Sequence, residues 1–523
     1  MGKKRNLILA GLISVLCFPA VANAATTKTV CASDCDFTGI AEAIASEDVA
    51  AGDTIKLNEN LTVNATITVD KSVTIDLNGH DITGEGVQYV FNFNAKDTEF
   101  TLTDSTDEAG TIANAQRGIL VTAGELTFDK VTLTSEDRTI QINPVTDGGA
   151  AKVIVEGGVI ESTGTNATRT IMLWGNNVAG EASLVVNGGE IIAPISSDNS
   201  AAINLGSANA AGNTVEINGG KITGHNGVRL YGNGEKGMTI LTMNGGSISA
   251  VNAGILQSAA EGTENTEIYL YGGSITAKDD AEASGLVGGD AVAIHHTQTG
   301  ILVIGKEDGT GPTLTGETAV AVKEGDVTVN GGTIIATGEY RDQVIAREDG
   351  TEDSGAAISI TSSNEYTAGV TLKITGGNLT SQNGNALFEG ITYTADGEPT
   401  TDESYVTSME VTGGTFTSAE DKASVVATYA EPFITGGTYS SQENLDEYTK
   451  DEIIFSQDEN GNFVAGTENL GDSNTPNDDD TTTPSEDVPA VPQTFDALGM
   501  YAGIGAISIA AIAGAVIYLK RRA

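Results

Sequence analysis

An all-β solenoid is the fold class this sequence predicts, and three observations carry it. A Gly-Gly pair recurs in a constant setting, the residues flanking it alternate apolar and polar, and the pairs return about every 30 residues. The segments VIVEGGVIES, LVVNGGEIIA, VEINGGKITG, LTMNGGSISA, IYLYGGSITA, VTVNGGTIIA, LKITGGNLTS, MEVTGGTFTS and PFITGGTYSS share the pattern. Their second glycines fall at 158, 189, 220, 246, 273, 332, 377, 414 and 437. Weaker copies near His80, Gly110, Lys130 and Pro312 bring the number of units to about 13, with a spacing inside the solenoid range.

Period-two alternation predicts strands: in VEINGG, Val215 and Ile217 face one way and Glu216 the other. A second strand recurs in TIMLW (170–174), AAINLG (201–206), NGVRLYG (226–232), DAVAIHH (290–296), TAVAVKE (318–324) and AAISIT (356–361), so each unit holds two or three strands. One such unit cannot bury its apolar side, but a stack can, with each strand pairing about 4.8 Å from its copies above and below. Gly-Gly supplies the positive φ that the corner needs. Asn187, Asn218, Asn244 and Asn330 share a corner position and are expected to form a ladder. A propeller blade needs about 40–50 residues and an Ig-like module about 100, so neither suits this period.

The segment DTIKLNENLTVNATITVDKSVTIDLNGHDITG (53–84) resembles the first coils of the pectate-lyase-like superfamily, and the resemblance covers roughly residues 51–440. It implies a right-handed parallel β-helix; the hand comes from the resemblance alone. The open ends of such a stack need caps. Phe37, Ile40 and Ile44 have helical spacing and predict a short capping helix within 25–50. Residues 441–466 are expected to cap the other end, and the acidic, Pro-containing segment 467–490 to form a disordered stalk.

Both termini read as export signals. Lys3, Lys4 and Arg5, an apolar run from Leu7 to Val21 and Ala22-Asn23-Ala24 form a secretory signal peptide over residues 1–24. At the other end, 491–523, Val491-Pro492-Gln493-Thr494 precedes an uncharged stretch, Ala497 to Leu519, followed by Lys520-Arg521-Arg522. The stretch is long enough for a transmembrane helix with its basic tail in the cytoplasm. This order resembles the cell-wall sorting signal of Gram-positive surface proteins. The resemblance implies a sortase-type transpeptidase acting at Thr494 and a cell-wall partner. Phe495 stands where the common motif has Gly, and a single-pass anchor is the alternative. Either reading puts the body outside the cell, on its surface.

Six of the 26 basic residues and one of the 71 acidic residues, Asp496, lie in those two ends, leaving 20 basic against 70 acidic groups between them. Such a surface repels nucleic acid and anionic lipid. Cys31 and Cys35 are the cysteines left after signal removal, and an oxidising compartment predicts a local disulfide between them.

Related hydrolases of this fold carry Asn-Thr-Asp, Asp-Asp, Gly-His-Gly and Arg-Ile-Lys motifs. Of these the body of the repeat has Asp279-Asp280, in an expected turn, and none of the other three, so no catalytic residue is assigned and no cofactor is expected. His295 and His296 adjoin on a strand and must face opposite ways, which argues against a metal site. Three functions remain: a displayed binding protein or adhesin for glycans or a host surface, a polysaccharide lyase or hydrolase with a diverged site, and a structural coat without a ligand. For the first, the second strands are expected to align Trp174, Gly206, Tyr231, a small residue near Ser258, His295 and Lys323 in one outward column. Arg229 stands beside it, and Trp174, Arg229, Tyr231 and His295 are the candidate ligand contacts.

Overall fold

Parallel pairing begins earlier than the repeats suggest. In the computed structural model, Thr27–Val30 pairs in parallel with Thr54–Leu57, opening a 14-stranded sheet that ends at Val406–Val411. The structure describes residues 25–467, apart from 146–148, 175–179, 197–199, 207–211, 231–236, 258–265, 280–290, 298 and 346–353. All lie in one compact unit, Met1–Asn469; a second unit comprises Leu470–Ala523. The signal segment, Val491–Thr494 and the apolar stretch 497–519 lie outside the described residues. No helix among the described residues is long and apolar enough to cross a membrane.

The fold is an all-β solenoid. Each regular coil contributes one strand to the 14-stranded sheet, called ladder A, and then two strands to a 28-stranded sheet. That larger sheet consists of two ladders, B and C. Long strands Lys221–Leu230 and Ser247–Gln257 run through both and join them. The unit therefore has three strands.

Register explains why the apolar alternation survives so many coils. In ladder A, Val155, Val186, Ile217, Met243 and Leu270 pair in line, and each is fully buried. In ladder B, Ile160, Ile191, Ile222, Ile248 and Ile275 do the same. Ladder C aligns Ile140, Ile171, Ile203, Val228 and Ile255. These columns belong to one continuous apolar core. Burying each such side chain contributes about 1.5–3 kcal/mol, and a one-residue slip would expose a whole strand's set.

The two glycines of each corner have separate reasons. Gly220 has φ +79°, a conformation that L side chains rarely adopt. At Gly219, a Cβ would lie 2.2 Å from the Asn187 carbonyl oxygen of the coil below. The first glycine thus permits close stacking and the second turns the chain. Beside them, Asn218 Nδ2 donates to Asn187 Oδ1 at 3.0 Å, and Asn244 Nδ2 donates to Asn218 Oδ1 at 2.9 Å. Asn330 does not join this ladder. Tyr271 takes the corner position after Asn244, and Asn330 Oδ1 instead accepts from Thr375 Oγ1 at 2.8 Å.

At the N-terminal end, helix Ile40–Ala45 buries Ile40, Ala43 and Ile44. Phe37 is not part of it. Cys31 and Cys35 are bonded through their sulfurs, with Cα atoms 5.5 Å apart. The turn that they close folds Phe37 back onto the first strand, where its N–H bonds Thr29 O and its carbonyl accepts from Cys31 N. At the other end the parallel order stops: Phe463–Gly466 pairs antiparallel with both Thr438–Tyr439 and Ile454–Gln457. Phe416 and Tyr439 stack there, with centroids 4.8 Å apart.

Candidate functional site

Ladder C carries the only tryptophan of the chain. Trp174 follows the strand Arg169–Leu173, its backbone N–H bonded to Ile142 O, and the residue is 37% exposed. The indole lies across the next coil at Gly206, where a Cβ would fall 2.7 Å from indole Cε3. The small residue there makes room for the indole.

The expected column of aromatics comes apart at His295. Ile255 pairs with Ile294 and Ile294 with Val320, so His295 is in line with Leu256 and Ala321. It stands two positions before the place of Trp174, which Thr297 takes in that coil, and it is completely buried. The cause is His296, which is in line with the inward Val322 where an aliphatic residue would be expected. Read from the sequence, Val292 and Ile294 pass for the inward pair; in the fold the pair is Ile294 and His296. Burial pushes the His296 imidazole down to about 3. Lys323 is buried and donates from Nζ to Thr361 Oγ1 at 2.8 Å. Arg229 is half-buried, in line with Asn204 and Leu256, and Tyr231 lies outside the described residues. Trp174 is therefore the one expected contact with a well-exposed side chain among the described residues.

It borders a cleft of about 190 Å³ lined by Arg138, Gln141, Met172 and Trp174. Gln141 and Met172 face outward on paired strands of ladder C, in line with each other. Behind Gln141 runs a directed chain of hydrogen bonds. Arg117 Nη1 donates to Tyr89 Oη at 2.8 Å, and Tyr89 Oη donates to Gln141 Oε1 at 2.6 Å. Arg138 Nε lies 3.4 Å from Asp137 Oδ2, an ion pair without an aligned hydrogen bond, and Asp137 Oδ1 accepts from the Arg169 N–H.

None of Arg138, Gln141, Tyr89 and Arg117 stood out in the sequence, yet a signal was there. The stretches RGILV, RTIQI and RTIML each place Arg two residues before an inward Ile. Ile119, Ile140 and Ile171 pair in register, so Arg117, Arg138 and Arg169 occupy one position on three successive coils. Burial lowers the Arg169 guanidinium below its ordinary range; Asp137 opposes that shift and the neighbouring Arg138 adds to it.

A second hollow, of about 480 Å³, lies beside Tyr271, Lys306, Asp308 and Asn330, with Tyr269 and Tyr271 stacked 6.0 Å apart. Among the described residues, no three His, Cys, Asp or Glu side chains are grouped to hold a metal ion. No protein-family model, no curated protein and no solved structure matches this chain.

Proposed function

We propose that this protein is an envelope-anchored, right-handed parallel β-helix displayed on a bacterial cell surface, where it binds glycans through the cleft at Trp174. One observation carries the reading: an exposed indole, the single one in the chain, flanks a small cleft with a buried amide and an arginine. Flat aromatic faces pack on sugar rings, and fixed polar groups beside them select hydroxyls and substituents. The signal peptide and the sorting-type tail support display and wall attachment by a sortase-type enzyme. The stack of coils is the rod that carries the cleft.

The test is a glycan array probed with wild-type protein and with Trp174→Ala. Binding of a defined glycan set by the wild type, and its loss in the variant with an unchanged melting curve, is the expected result. Binding that survives Trp174→Ala would move the site elsewhere. An array with no bound glycan would favour a structural coat, and release of sugar ends from polymers would favour a diverged lyase or hydrolase.

A further inference from the structure

The polar lining of this cleft is made of donors. Arg117 donates to Tyr89 Oη, so the Tyr89 proton must point to Gln141, and Gln141 must meet it with its oxygen. The amide nitrogen of Gln141 is left with no hydrogen-bond partner among the described residues, although the residue is only 7% exposed. The Arg138 side chain likewise donates no hydrogen bond among the described residues; its polar contact is the ion pair with Asp137. The arginines at three successive coils also run against the formal charge of −45 on the whole chain. A local cationic strip on so acidic a body has the sign to draw an anion that the rest of the surface repels.

Resting on the glycan reading above, we infer that the cleft takes one terminal sugar unit bearing a carboxylate. The carboxylate would lie against Arg138 and the Gln141 amide, and the ring against Trp174 and Met172. Guanidinium and carboxylate match in shape and charge. The volume, about 190 Å³, is below that of ordinary small-molecule pockets, which suits a single ring at a chain end.

Because Trp174 is the only tryptophan, its emission reports this cleft alone. The experiment titrates the full-length protein with methyl glucuronide and with methyl glucoside, which differ at the carboxylate. The glucuronide should bind about tenfold more tightly, as expected for a hydrogen bond to a charged group. Raising the salt concentration should narrow that ratio, a readout needing no variant. Arg138→Gln should bring the glucuronide down to the glucoside's affinity, and Arg138→Lys should restore part of it. Equal binding of both glycosides by the wild type would overturn the carboxylate inference and leave the glycan reading standing. Equal effects of acetate and glucuronide would overturn it in favour of a bare anion site. No response to either sugar, together with array binding that survives Trp174→Ala, would overturn the glycan reading itself.

Discussion

The indole of Trp174 rests on the backbone of Gly206, one coil away, in space that a side chain at 206 would need. Cε3 and Cζ3 would lie 2.7 Å and 3.2 Å from an added Cβ. Gly206→Ala should therefore swing the indole outward. The indole can yield, but the Leu173 carbonyl oxygen, 3.0 Å from the same Cβ, is backbone, so the cost in stability should be about 1–2 kcal/mol. Tryptophan emission should shift to the red and sugar affinity fall several-fold. Emission and affinity like those of the wild type would show that the indole does not depend on this contact.

Removing a whole coil should be milder than charging one core position. Residues 190–220 run from one ladder B strand to the corner before the next, and Glu190 is in register with Lys221. Deleting them places Lys221 where Glu190 was and leaves every column continuous. Scattering should show a shorter rod with a cooperative melt. Ile217→Asp puts a carboxylate into a fully buried column between Val186 and Met243, at a cost of about 4 kcal/mol or more. Circular dichroism melts of the two variants make the comparison; a deletion less stable than the point change would contradict additive coils.

Acidification should loosen the middle of the stack through His296. Its folded value of about 3 is far below the ordinary 6.5, so between the two the unfolded chain binds a proton that the folded chain refuses. This contribution is fully present above 6.5 and falls as pH drops toward 3. At about 1.4 kcal/mol per pH unit, stability at pH 5 should be about 2 kcal/mol below that at pH 7. His296→Leu should remove that slope. Denaturant melts at pH 5 and 7 would show it, and an equal slope in the variant would assign the effect to other groups.

Wall attachment makes a chemical prediction at the C-terminus. If a transpeptidase cuts after Thr494, wall digests should release peptides ending at Thr494 joined to cross-bridge amino acids, visible by mass spectrometry. Thr494→Ala should shift the protein to the membrane fraction. Recovery of the wild type with residues 497–519 intact and detergent-soluble would identify a simple membrane anchor.

What the sequence determined by itself was the architecture. Alternation of the Val215 and Ile217 kind, with a Gly pair about every 30 residues, specifies stacked strands because the same small set of contacts recurs in every coil. The corner asparagines 187, 218 and 244 were legible for the same reason. Tertiary structure decided the rest wherever one residue broke the pattern. Only the fold shows that the inward pair is Ile294 and His296, because pairing with Val320 and Val322 outweighs the polarity of an imidazole. Tyr271 interrupts the asparagine ladder through a local substitution that the period cannot announce. The cleft, too, joins residues from different coils: Tyr89 and Gln141 are 52 positions apart yet share a hydrogen bond. Repetition tells which residues are equivalent in successive coils; the stacking register brings Arg138, Gln141 and Trp174 to one place.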